Sequence, residues 1–175
     1  MAVYRPADAV ETAECWELAL ADRTRPSVLA LSRQNLPTLR KDWAENRSAS
    51  GAYRLVAATA ARKVVLVATG SEVSLAVETA ALLEAQGVGA DVVSMPSWEL
   101  YREKGDKSLL PADVLKVSIE AASTFGWAGI VGTDGLAIGI DTFGASAPAP
   151  ALYQHFGLTS PAICERVLAQ LNSRK

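Results

Sequence analysis

Apolar residues along this chain gather in short, strand-sized runs, and between them they recur at helical spacing. The run VVLVA at 64–68 has no polar break, as a strand buried on both faces requires. Shorter β-rich runs lie at 2–4, 27–31, 53–57, 91–95, 114–119 and 136–140. After the first of them, Asp8 with Glu11 three positions on has the form of a capping box. Ala9, Ala13, Trp16 and Leu20 then fall at i, i+4, i+7 and i+11, one apolar stripe of a helix. Further on, Ser71 is placed to cap a helix carrying Val73, Ala76, Val77, Ala80 and Leu83 at the same period, and Gly87 sits where a left-handed residue ends it. A short helical turn is expected at 98–102, and two closing helices at 149–156 and 160–171. Strands alternating with helices predict the α/β class: a mostly parallel sheet with helices on both faces, preceded by a β-α-β unit that ends at Pro37.

Residues 40–51, RKDWAENRSASG, break this alternation and read as a linker. Trp43 is its one large anchor and is expected to pack on a neighbouring domain. With 175 residues, 50% of them hydrophobic, the chain can build a domain with its own core, or a domain plus an appendage. Seventeen basic against nineteen acidic residues, without a run of one sign, do not suit a nucleic-acid groove or a polybasic membrane patch. Cys15 and Cys164 are far apart and outside any C-x-x-C spacing, which favours buried reduced thiols and a cytoplasmic protein. The amino terminus lacks a signal-peptide apolar core, and no run approaches the roughly 20 residues of a membrane helix.

Candidate chemistry is sparse. Thr69, Gly70 and Ser71 link a buried strand to a helix amino terminus, a place that suits an anion. Plain capping competes with that reading, because the string is neither a dinucleotide fingerprint nor a Walker loop and Glu72 follows it. Gly132-Thr133-Asp134-Gly135 is superficially like the Gly-Asp-Gly opening of a magnesium motif, but the next asparagine downstream is Asn172, too far along, so a turn is expected. His155, the single histidine, cannot form a metal site or a nucleophile–base pair by itself, and no catalytic residue is assigned. Arg33 stands just after the strand at 27–31. Ligands gather at such carboxyl ends, and a guanidinium fork there fits a phosphate or carboxylate; an ordinary ion pair is the other reading.

The strings LSRQNLP (31–37), ATGSEVSLAVE (68–78), VVSMPSWEL (92–100), SIEAASTFGW (118–127) and FGASAPAP (143–150) resemble transketolase in family order, and RPADAVETA (5–13) resembles the stretch before the first of them. The resemblance covers nearly the whole chain. It implies that 1–47 is the tail of the thiamine-pyrimidine-binding domain and 48–175 the carboxyl-terminal α/β domain. It implies thiamine diphosphate and Mg2+ or Ca2+ in the complete enzyme, neither bound to this portion, and a homodimer moving a two-carbon ketol unit between sugar phosphates in the pentose phosphate pathway. Arg33 matches the family arginine that binds the substrate phosphate. The other family functional residues have no counterpart here, so this portion alone is expected to be inactive, with an uncovered apolar face around Trp16 and Leu20. One departure is visible: a basic–aromatic pair usual after FGW is replaced by Ala128-Gly129-Ile130. The alternative from a different class is a stand-alone α/β anion-binding or regulatory module with Thr69–Ser71 as its ligand loop.

Overall fold

The computed structural model describes residues 1–174. Strands β1 (Ala2–Tyr4) and β2 (Ser27–Leu29) pair in parallel, joined by helix α1 (Ala9–Ala21). A 3-10 turn at Arg47–Ser50 leads to the second sheet. That sheet contains β3 (Tyr53–Val56), β4 (Arg62–Ala68), β5 (Gly89–Ser94), β6 (Leu115–Ile119) and β7 (Leu136–Ile138), in the order β3-β5-β4-β6-β7. Only the β3–β5 pairing is antiparallel, at the edge; the other three are parallel. This is the mostly parallel α/β sheet expected from the alternating pattern.

The pleat of β4 divides the core. Val64, Leu66 and Ala68 face helices α2 (Glu72–Glu84) and α6 (Ser160–Ser173), where Val73, Ala76, Leu83, Ile163 and Val167 complete the layer. Val65 and Val67 face the opposite layer, which holds Met95, Tyr101 of α3 (Trp98–Lys104), Trp127 and Val131 of α4 (Ala128–Val131). Helix α5 (Ala149–His155) leads into α6. Helix α2 ends as the glycine predicts: Gly87 has φ +74°, and the Val88 amide returns to the Leu83 carbonyl at 3.0 Å. Its start differs. Ser71 makes no capping bond, because its hydroxyl donates to the Glu72 carboxylate next to it at 2.7 Å.

Helix α1 is turned inside out relative to an ordinary amphipathic helix. Its buried residues are Glu11, Glu14 and Cys15, while Trp16 is 50% and Leu20 66% exposed. Trp43, 79% exposed, lies beside the same outer face and shares a shallow pocket with Ala9, Val10 and Ala13. The uncovered apolar face is therefore present. What holds α1 down is polar. Glu11 takes hydrogen bonds from the Ala7 amide (2.6 Å), Tyr53 hydroxyl (2.7 Å) and Ser94 hydroxyl (2.5 Å). Glu14 pairs with Arg40 and accepts the Ser48 amide (3.1 Å) and hydroxyl (2.7 Å). Residues 40–51, which read as a linker, are thus docked, with Arg40 and Ser48 buried.

Both cysteines are free and buried, and burial pushes the Cys15 thiol up to about 12. Among the described residues no helix is long and apolar enough to cross a membrane.

Candidate functional site

The carboxyl ends of the two sheets face each other, and the connection from β1 to α1 stitches them together. Arg5 donates its amide to the Pro96 carbonyl beyond β5 (2.8 Å), and its carbonyl accepts the Gly70 amide beyond β4 (3.0 Å). In the larger sheet the connection after β4 goes to one face and that after β6 to the other, so the crevice between their ends is where an open α/β sheet takes a ligand. Here that crevice is reduced to about 180 Å³, closed by Arg5, Pro6 and Ser32.

Its polar groups are consumed internally. Thr69 is buried, its hydroxyl aimed at the Arg5 carbonyl at 3.4 Å, and the Gly70 amide is already donated to that same carbonyl. The Glu72 carboxylate takes the place an anion would occupy at the amino terminus of α2. It accepts the Ala121 amide at 3.1 Å, the Ser71 hydroxyl, and a short hydrogen bond from Tyr153. Burial, reinforced by Glu72, pushes the Tyr153 phenol up to about 12. Glu120 lies alongside, 3.5 Å from the Arg5 guanidinium and accepting the Trp127 indole N–H at 2.9 Å. Burial, with Glu72 adding, holds its carboxyl above the usual range despite those two donors. Two carboxylates with one partly engaged arginine repel a phosphate, so the charge around Thr69, Gly70 and Ser71 disfavours an anion loop.

Arg33 is in a different situation. It stands on the segment after β2, exposed, with no hydrogen bond or ion pair to any described residue. The segment enters through the Ala30 amide on the Tyr4 carbonyl (2.8 Å) and leaves through the Leu39 amide on the Asp8 carboxylate (2.9 Å). A neighbouring cleft of about 500 Å³ is lined by Gln34, Asn35, Pro37, Ser71 and Tyr153, and Arg33 is not part of its wall. The guanidinium is thus an unsatisfied cation on an anchored loop at the carboxyl ends of β1 and β2.

Residues 51–159 of this chain match the model of the "Transketolase-like TK C-terminal domain". The chain belongs to the transketolase family. It is 48% identical over 173 residues to the transketolase of Sinorhizobium medicae, which covers 97% of this chain and 25% of that protein. It is 47% identical over 169 residues to the chloroplastic transketolase-1 of Arabidopsis thaliana, covering 93% of this chain and 23% of that protein. A crystal structure of the Pichia stipitis transketolase in complex with sedoheptulose-7-phosphate superposes with a TM-score of 0.89 at 36% identity, over 98% of this chain and 25% of that one. The chain spans about a quarter of the length of the curated transketolases it matches.

The remaining transketolase chemistry finds no footing in these residues. The turn at 132–135 offers Asp134 alone, exposed, and no group of three metal-ligating side chains exists among the described residues. Asp134 alone does not make a divalent-cation site. His155 is exposed at the end of α5, its ring edge-on to Phe156 at 4.8 Å. From the sequence, Asp8 and Glu11 mark only a capping box at the start of α1, and Glu14, three positions on, has no role at all. That row was visible, but acidic rows on helices are ordinarily solvated.

Proposed function

We propose that this chain is part of a complete transketolase that transfers a two-carbon ketol unit between sugar phosphates, and that Arg33 grips the substrate phosphate there. The observation that carries the reading is an exposed, unpaired guanidinium on an anchored loop, in a chain nearly half identical to transketolases. Residues 1–47 are then the end of the pyrimidine-binding domain and 48–175 the carboxyl-terminal domain. Thiamine diphosphate and its cation are held by polypeptide beyond these residues, in a cytoplasmic homodimer of the pentose phosphate pathway.

Arg33 takes no part in bond making. It binds a remote, dianionic group in a planar fork of donors and so orients the sugar, using binding energy from a non-reacting part of the substrate. A charge-assisted hydrogen bond of this kind is worth roughly 1.5–3 kcal/mol, so Arg33→Ala in the complete enzyme raises KM for phosphorylated substrates about ten- to a hundredfold. An unchanged KM removes Arg33 from the site. This chain alone, supplied with thiamine diphosphate and Mg2+, transfers no ketol unit; turnover by the purified chain would overturn the assignment. A stand-alone anion-binding module has no support in the geometry of Thr69–Ser71.

A further inference from the structure

At its exit the backbone of the loop that carries Arg33 is held by one carboxylate, while the side chain of Arg40 pairs with Glu14. Residues 31–38 have no helix or strand, and within them the Ser32 hydroxyl donates to the Gln34 carbonyl at 3.2 Å, a contact that ties the loop only to itself. At the entrance the Ala30 amide rests on the Tyr4 carbonyl. At the exit the Leu39 and Arg40 amides both point at Asp8 Oδ2, at 2.9 and 3.3 Å. The other oxygen, Oδ1, accepts the Glu11 amide at 2.9 Å and caps α1. Asp8 is itself buried at 5% exposure, so its two oxygens are committed in a fixed geometry.

We infer that Asp8 is a positioning residue for Arg33: one oxygen fixes the start of α1, the other fixes where the phosphate loop ends, and the two together set the direction of the guanidinium. This rests on the phosphate-gripping reading of Arg33. A helix cap asks for one acceptor, which Asp, Asn and Ser supply about equally. Two converging amides on the second oxygen ask for a carboxylate. In Asp8→Asn one of the two jobs falls to an NH2 group facing N–H donors, and in Asp8→Ser the hydroxyl caps α1 but is too short to reach the loop. Asp8→Ser therefore releases the exit of the loop while the helix start survives, whereas Asp8→Asn gives up one or the other.

The readout is selectivity, measured in the complete transketolase with a phosphorylated and an unphosphorylated ketose donor. Because small displacements of a gripping group are strongly felt in orientation, Asp8→Ser should lower the ratio of kcat/KM for the phosphorylated over the unphosphorylated donor about tenfold, mostly through KM. Arg33→Ala lowers the same ratio at least as far, and the double variant is no worse than Arg33→Ala alone. In the present chain, amide exchange at Leu39 and Arg40 speeds up in Asp8→Ser while exchange within α1 stays slow. If Arg33→Ala loses selectivity and Asp8→Ser keeps it, the positioning role is wrong and the phosphate reading stands. If Arg33→Ala keeps selectivity, the phosphate reading falls and this inference with it. Equal loss on both donors, or Leu39 and Arg40 amides as protected as before, also overturns it.

Discussion

Replacing Glu14 by alanine tests how the two sheets are held together. Glu14 and Arg40 are 7% and 4% exposed, so the pair lies in a medium of low effective dielectric. The Arg40 guanidinium keeps the Asp42 carbonyl (3.0 Å) and lies over the Tyr53 ring (5.1 Å to its centre), but loses its only buried anion. The Ser48 amide and hydroxyl lose their acceptor too. Breaking one side of a buried pair costs about 3–5 kcal/mol, and the surviving Asp42 contact argues for the lower end, about 3 kcal/mol. For a domain of this size that corresponds to a fall in Tm of roughly 6–12 °C by calorimetry. Removing Arg40 as well abolishes the stranded charge, so Glu14→Ala/Arg40→Ala should be no less stable than Glu14→Ala, within about 1 kcal/mol. The shift should persist in high salt, because buried pairs are screened little. A fall under about 2 °C, or two substitutions that simply add, would refute the reasoning.

Other tests follow from the same contacts. Glu120 binds its proton more tightly in the folded protein than its ordinary 4.5, so its contribution to stability is full below that pH and is lost as pH rises through the raised value. Glu120→Gln removes this loss, and its Tm relative to the parent should improve from pH 4.5 towards neutrality; a constant difference counts against the burial argument. Trp16→Lys with Leu20→Lys should change the unfolding free energy of this chain by less than about 0.5 kcal/mol in urea, since both side chains are exposed and neither belongs to the core; a larger loss means the outer face of α1 is covered. Gly51 has φ +81°, and a Cβ there would lie 2.1 Å from the Tyr101 amide nitrogen, so Gly51→Ala should cost at least about 2 kcal/mol in the same assay, and an undiminished midpoint would contradict the close approach.

What could be read from sequence was what local pattern decides. The unbroken VVLVA run marks the central strand because both faces of β4 are buried, and Gly87 marks the end of α2 because only a left-handed residue closes it there. Strands β2 and β7 end earlier than their apolar runs, since Leu31 and Ile140 lie past the last paired residues. Ser71 misled because its hydroxyl has a better acceptor one residue on. The burial of Glu11 and Glu14 was illegible: their partners Tyr53, Ser94, Arg40 and Ser48 lie far along the chain, and nothing local distinguishes them from solvated acids. Arg33 is proposed as a site residue from its string, whereas the contact of Asp8 with the end of its loop emerges only when residues 8 and 39 are seen side by side.

The inverted helix also bears on how this protein can be cut. A protein engineer wishing to express the larger sheet separately would sever the backbone near position 47, where composition changes. That incision would take away the carboxylate that anchors Ser48 and the one that receives Tyr53, and the excised piece would expose a row of bereft donors where it had been sealed. The workable excision keeps α1 attached, although its sequence looks like the part to discard.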